Sequence, residues 1–463
     1  MTISKILSGF IFTIGIFGSQ YSHSNPYFDE SQVPKDFTYP AIQPLPKITN
    51  PLVIKNGPEV GLNILRVGVK VDLSTETYSL ANVVTETSGT PAYYRRAHQF
   101  PKWGSYRAVL RDPTMGMAIY HDSIGTGKEF RKLVNEITFR FPLPLHPVRF
   151  ELTAENPETG KMELVFSEVL DPASAVKAKP DFDSTEIREL KRPTTPGASV
   201  RVNIYADGYT SDRKDIFWLD AAKAVSSLID NKFPLSDRMH FYAVFSPSQM
   251  KLGKAVDLGL PVAERNSFLG LYYPYWDNFG RWFNIVYPTR EDKFRRGLAL
   301  APYDYAIILI DNNEYWGVGN FRELTSIPAR SMSFTYLLLH EAGHFFGLNE
   351  EYSEGGRTEL EFAPGIDEPW SQNITFLKSN ILADLKWASF VLPSTPLPTP
   401  KSYWPLQSKS YGAFAGGYAQ SPPLGHSHIP GLNCVMDRGS NFCDVCRHGI
   451  TEVINFDLAD QKN

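Results

Sequence analysis

Two histidines and a glutamate in the second half of the sequence have the spacing of a metal site that activates water. His340 and His344 are four residues apart, so on a helix both imidazoles project from one face. That spacing lets two Nε2 atoms reach one zinc ion at about 2.0–2.1 Å. Glu341 follows the first histidine and can reach a water on the metal without being a ligand itself. The pattern therefore predicts zinc-assisted hydrolysis through a zinc-activated water, with Glu341 as the general base.

The third ligand is predicted to come from the segment that follows this helix. Gly347 lies seven residues after the first histidine, where a sharp turn benefits from a residue that reaches positive φ cheaply. The turn would bring Glu350 back to the metal and leave a fourth position open for water. The adjacent Glu351 is an alternative, and so is a glutamate from a second helix, with Glu359 and Glu361 at a suitable distance.

The three cysteines of the chain lie together near its C-terminal end, at Cys434, Cys443 and Cys446. Outside the cytosol a disulfide with Cys434 is the default expectation, and an odd count then leaves one thiol over. A zinc cluster of the three cysteines with His448 is the alternative, because it supplies four ligands.

Composition excludes several classes of protein. The chain has 463 residues, of which 42% are hydrophobic and 21% charged, so it can bury a core and is long enough for two domains. The formal net charge of −4, with dispersed Lys and Arg, argues against nucleic acid as a partner. A protein or peptide substrate is the expected partner, and the sequence leaves the oligomeric state open.

The N-terminus has the layout of a secretory signal peptide. A short start with Lys5 precedes an apolar run of 13 residues, Ile6 to Gly18, and small and polar residues follow. We predict a signal peptide over residues 1–22, no integral membrane segment after its cleavage, and a secreted, periplasmic or cell-surface location.

The elements that must position the site change character near the middle of the chain. Alternating apolar and polar residues, as in Ile64–Asp72, predict a β-rich, sandwich-like N-terminal domain over residues 26–190. Residues 172–198 are expected to form a connector. Residues 199–463 combine strands and helices and predict an α/β domain. Asp207 ends the first strand of that domain, where it is expected either to cap a helix as a turn residue or to hold a loop near the active cleft.

Four separated pieces of the sequence resemble the IgA-peptidase family of secreted bacterial zinc metallopeptidases. They are Ala206–Thr210, Phe245–Ser248, His340–Tyr352, and the cysteine-bearing stretch from Cys434 to Arg447. The resemblance spans residues 199–452 and implies a metzincin-like α/β sandwich with a mixed sheet, a zinc helix, one catalytic zinc and endopeptidase activity. The turn after the zinc helix is one residue shorter than in the family and carries Glu-Glu-Tyr in place of Asp-Glu-Tyr, which leaves the third ligand open. Immunoglobulin cleavage is known of one branch and does not transfer to this chain.

The resemblance suggests two further residues. In metzincins a turn bearing a methionine lies beneath the zinc, and Met436 is the candidate here. A peptidase of this kind benefits from a donor to the oxyanion in addition to the metal, and Tyr418 is the first candidate.

Two other functions compete with the peptidase. One is a secreted binding or adhesion protein in which the fold keeps a structural or inactive zinc site. Against it stands Glu341, which a structural site does not need, since such sites close all four positions with protein ligands. The other is a metal-dependent hydrolase of a non-peptide amide.

Overall fold

The structure of the chain is a computed structural model with two separate sets of strands and few helices. It describes residues 64–72, 75, 77–86, 103–125, 136–156, 159–178, 182, 184–250, 266–272, 287–288, 290–313, 316–352, 367–403, 411–417 and 427–458. The predicted signal peptide lies outside these residues. No helix within these ranges is both long and apolar enough to cross a membrane.

The first region is a pair of four-stranded sheets. Their inward-facing residues, such as Val67, Phe139 and Phe150, are fully buried in a shared core. The strands are β1 (Ile64–Asp72), β2 (Thr77–Glu86), β3 (Tyr106–Arg111), β4 (Ala118–Ile124), β5 (Glu136–Pro142), β6 (Val148–Glu155), β7 (Met162–Leu170) and β8 (Val176–Lys177). One sheet has the order β5-β1-β2-β8 and the other β4-β3-β6-β7. The predicted N-terminal β region is therefore confirmed.

The second region is built on a mixed six-stranded sheet in the order β15-β16-β14-β10-β11-β9. Its four inner strands pair in parallel, and the edge strands β15 and β9 run antiparallel to their neighbours. Their bounds are β9 (Glu186–Lys191), β10 (Val200–Asp207), β11 (Met239–Phe245), β14 (Tyr305–Ile310), β15 (Val318–Asn320) and β16 (Leu324–Pro328). Two short pairs complete the strands: β12 (Leu271–Tyr272) with β13 (Tyr287–Pro288), and β17 (Phe414–Ala415) with β18 (His428–Ile429).

Helices cover one face of this sheet and the β region covers the other. They are α1 (Lys214–Asp230), α3 (Phe334–Phe345) and α4 (Asp444–Leu458), whereas α2 (Glu291–Leu298) packs on the other face, with Phe294 and Leu298 in the core of the β region. Along β14, Ile307 and Leu309 share a core with α1, α3 and α4, whereas Ile308 and Ile310 pack toward the β region. Successive side chains of a strand point to opposite faces, so a strand covered on both faces is apolar throughout. The expected mixed α/β architecture is confirmed.

The expected connector at residues 172–198 contains a strand of the main sheet. β9 pairs antiparallel with β11, although the prediction placed only turns and polar residues here. Its sequence alternates, with Ile187 packed toward the β region and Leu190 toward the helices. The prediction rested on the Pro-rich segment that follows this strand. The short alternating run before that segment is enough to form an edge strand.

Candidate metal centre

Helix α3 holds the two histidines with their Nε2 atoms facing each other. The Nε2 atoms of His340 and His344 are 3.2 Å apart. The Nδ1 atom of His340 lies 2.8 Å from the carbonyl oxygen of Val435, and that of His344 lies 3.0 Å from the carbonyl oxygen of Leu348. Because a carbonyl can only accept, each Nδ1–H donates, and each Nε2 is left with the lone pair that a metal requires.

A turn at Gly347 ends the helix and returns the chain to the histidines. Gly347 has φ of 90°, in the left-handed region that favours glycine. The Leu348 N–H donates to the Gly343 carbonyl over 3.0 Å, which closes the turn. The Glu350 carboxylate then lies 3.2 Å from Nε2 of His340 and 3.1 Å from Nε2 of His344. The structure thus brings the two histidines together with Glu350.

These three side chains fit a catalytic zinc site. Their ligand atoms lie within 4.8 Å of one another, and no fourth His, Cys, Asp or Glu of the described ranges joins them. Two imidazoles and one carboxylate with an open fourth position are a donor set that zinc uses in hydrolases. The side chain of Glu350 is 14% exposed, so the group is reachable from solvent.

The electrostatics of the three groups show what a cation would replace. Burial lowers the pKa of His344, but the adjacent Glu350 carboxylate outweighs burial and raises this pKa to about 10. The pKa of His340 is raised for the same reason. Burial raises the pKa of Glu350, yet the two histidines bring it well below its ordinary value. The Glu350 carboxylate therefore favours the protonated form of both imidazoles, and a divalent cation would take the place of those protons.

Glu341 lies beside the ligands and is not one of them. Its side chain is buried at 7% exposure and packs against Gly317, just before β15, where a Cβ atom would collide with the carboxylate. Burial raises the pKa of Glu341, and the two histidines oppose this rise. The structure therefore leaves the Glu341 carboxylate close to the ligands without placing it in their group.

Aromatic rings and a methionine support the helix. The ring of Tyr336 stacks on His340 with a centroid separation of 5.6 Å, and Tyr352 lies on the same imidazole at 6.2 Å. Met436 is fully buried in the turn Val435–Asp437 and packs against Gly343, where a Cβ would collide with its sulfur. Sequence reasoning missed Tyr336, although its position four residues before His340 places it on the same helix face.

Glu351 turns away from the histidines. Its carboxylate oxygen Oε1 lies 2.9 Å from Sγ of Cys446 and accepts a hydrogen bond from the Asn373 amide over 3.0 Å. The Asn373 amide also donates to the Asn349 carbonyl over 2.8 Å, and the Asn349 N–H donates back to Asn373 over 2.8 Å. Asn373, which sequence reasoning also missed, fixes the chain so that Glu350 and Glu351 point to different groups.

Several other candidate residues lie elsewhere or outside the described residues. Tyr418, Glu359 and Glu361 belong to the ranges that the structure does not describe. Asp207 does not cap the helix that follows: its Oδ1 accepts from the Leu269 N–H over 2.8 Å. Burial raises the pKa of Asp207 to about 6.

The comparison with known families decides the assignment. Residues 189–408 match the family model described as IgA Peptidase M64. This match supports assignment of residues 189–408 to the IgA-peptidase family. No curated protein gives a significant match. The IgA-peptidase match contains α3, Gly317, Glu350 and Glu351, so it supports a peptidase whose substrate is a protein. The match ends before Cys434, and the cysteine-bearing segment lies beyond it.

Proposed function

We propose that the protein is a secreted zinc-dependent endopeptidase with a metzincin-like catalytic domain. The observation that carries this proposal is the convergence of Glu350 on the facing Nε2 atoms of His340 and His344. The family assignment supports hydrolysis of peptide bonds as the reaction. The N-terminal pattern of residues 1–22 supports export from a bacterial cell.

The three ligands would hold zinc at a fixed position. The carbonyl oxygens of Val435 and Leu348 lock the two imidazoles through Nδ1, so Nε2 of each points at the metal position. Glu350 arrives through the turn at Gly347 and supplies the negative charge that a divalent cation requires. Zinc bound in such a site lowers the pKa of a water to about 7 and polarises a carbonyl.

Glu341 would carry the protons of the reaction. Its carboxylate accepts a proton from the attacking water as the new carbon–oxygen bond forms at the scissile carbonyl. The same group then donates this proton to the leaving amine nitrogen as the carbon–nitrogen bond breaks. Gly317 leaves room for the carboxylate in this position. Tyr418 is proposed as an added donor to the oxyanion.

A binding or adhesion protein with a structural zinc is not favoured. The open fourth position and the buried Glu341 beside it have no use in a purely structural site.

The test combines metal content with cleavage of unfolded casein. Wild type should contain zinc and cleave casein, and a chelator should abolish cleavage until zinc is restored. Glu341→Gln should keep the zinc and lose activity by about 10²–10⁴-fold, the usual contribution of general acid–base catalysis.

Glu452→Gln is the control for the substitution itself, because Glu452 is 53% exposed on α4. It should match wild type in zinc content and rate. Native casein cleavage by Glu341→Gln would exclude that residue as the base. A zinc-loaded wild type that cleaves neither casein nor a mixed peptide pool would overturn the peptidase.

A further inference from the structure

A second group of side chains that could hold a metal ion includes Glu351, the residue next to the ligand Glu350. Glu351, Cys434, Cys443 and Cys446 each place one ligand atom within 4.8 Å of all the others. The three cysteines are free thiols. His448, expected from the sequence as the fourth ligand, is 57% exposed and lies 3.8 Å from Glu452 instead.

The carboxylate of Glu351 is buried without a cation. Glu351 is 1% exposed, and its Oε2 atom has no hydrogen-bond partner. No salt bridge connects it to a basic side chain in the part of the chain that the structure describes. Cys434 and Cys446 are 1% and 0% exposed. An isolated carboxylate in such surroundings is costly unless a positive charge compensates it, and the side chains that hydrogen-bond to it here are the Cys446 thiol and the Asn373 amide, both neutral.

Backbone N–H groups already point at the sulfur atoms. The Cys443 N–H donates to Sγ of Cys434 and the Cys446 N–H donates to Sγ of Cys443, each over 3.4 Å. Cys443 and Cys446 flank the first residues of α4, where the helix dipole also favours negative charge. These are the conditions that stabilise thiolates as metal ligands.

We propose that Glu351, Cys434, Cys443 and Cys446 bind a second zinc ion with a structural role. Three sulfur atoms and one carboxylate fill all four tetrahedral positions and leave none for water, as in structural zinc sites. A disulfide would use two of the three sulfurs and leave the buried carboxylate without a compensating positive charge. A zinc ion uses every member of the group.

The second ion would hold the first site together. It joins the segment that carries Glu350 to the turn Val435–Asp437 and to the start of α4. The Glu351 N–H donates to the Met436 carbonyl over 2.9 Å, and the adjacent Val435 carbonyl orients His340. Anchoring Cys434 and Glu351 to one ion would therefore position both a ligand and an imidazole partner of the catalytic site.

Zinc counting on the full-length protein separates the two sites. Protein purified in zinc without reductant should contain two zinc ions per chain. His344→Ala should keep one ion and lose casein cleavage, because it removes a ligand of the first site only. Cys446→Ser should also keep one ion.

Cobalt substitution gives a readout that does not depend on activity. Only the cysteine group can produce an intense thiolate-to-cobalt charge-transfer band, since the first site offers nitrogen and oxygen ligands. His344→Ala loaded with cobalt should retain this band at full intensity. This measurement on His344→Ala does not require a cysteine variant, so the test holds even if Cys446→Ser fails to fold.

Thiol titration completes the test. Three thiols should react when the wild type is unfolded without reductant, and both zinc ions should be released, whereas His344→Ala should release one zinc ion with its three thiols. One reactive thiol would demonstrate a disulfide and overturn the proposal. So would three thiols without a charge-transfer band. Two zinc ions and the band in a protein without peptidase activity would support this site while removing the proposed function.

Discussion

Glu350 and Glu351 are neighbours with the same side chain, yet they lie in two different surroundings. Glu350 meets two imidazole nitrogens in a partly buried group of three that has no fourth ligand among the described residues. Glu351 meets three sulfur atoms in a buried group of four. Zinc accepts both donor sets, but an open position supports chemistry whereas a complete shell supports structure. The comparison teaches that ligand number and access, more than ligand type, separate the two roles.

The backbone explains how adjacent residues diverge. After the turn at Gly347 the chain leaves the helix, and side chains that follow one another no longer share a face. Asn373 fixes this course through its bonds to Asn349 and Glu351. The Glu350 N–H is held by the Asn349 side chain over 2.8 Å.

The largest expected contrast comes from exchanging each glutamate for glutamine. Glu350→Gln removes a charged ligand from the histidine site. Loss of a residue that only hydrogen-bonds to a metal ligand costs about 10–100-fold in metal affinity, so we expect loss of this ligand to lower zinc affinity by more than about 100-fold. Casein cleavage should be lost at limiting zinc. Zinc affinity is measured by competition with a chromogenic chelator.

Glu351→Gln is the matched variant. It should lower the thermal unfolding midpoint and the content of the second zinc while leaving the first ion bound. If Glu351→Gln instead emptied the histidine site and Glu350→Gln did not, the assignment of the two glutamates would be reversed.

Asn373→Ala should weaken both sites together, with a smaller effect. The substitution deletes three hydrogen bonds of a fully buried amide, which amounts to about 2–3 kcal/mol of unfolding free energy at about 1 kcal/mol each. Thermal unfolding with and without added zinc measures the loss. Unchanged stability would show that other contacts hold this segment.

The smallest effect is expected at two glycines, Gly317, which packs against α3, and Gly343, which lies within it. Gly317→Ala places a methyl group against the Glu341 carboxylate, and the displacement of this side chain that relieves the collision should lower kcat by about 10-fold or more with zinc retained. Gly343→Ala presses on Met436 instead and should lower the unfolding midpoint more than kcat. Equal effects of both on kcat would refute a specific position for Glu341.

Local patterns predicted much of what the structure contains. Alternation identified strands of the first region such as Ile64–Asp72, and the run Tyr305–Ile310, which is apolar on both faces, is typical of a covered strand. The four-residue spacing of His340 and His344 required only a helix to face both imidazoles one way. Gly347 marked the reversal because few other residues accept its φ.

Long-range partners account for what the sequence could not decide. Which of the two glutamates faces the histidines depends on Asn373, 22 residues after Glu351, and on Cys446, 95 residues after it. No local pattern encodes such contacts. The role of the Val435 carbonyl could not be predicted from the sequence either, since every residue has a carbonyl group. Only the fold places this oxygen 2.8 Å from Nδ1 of His340.

One peptide bond separates the ligand that faces the histidines from the ligand that faces the thiols. Binding of an ion by Glu351 would remove conformational freedom from the backbone of Glu350. Binding of an ion at the histidine site would then cost less backbone entropy. The two occupancies would therefore be cooperative, and linkage makes the factor the same in both directions. At scarce zinc, occupancy of one site would then raise the affinity of the other, which narrows the range of zinc concentration over which the protein becomes active.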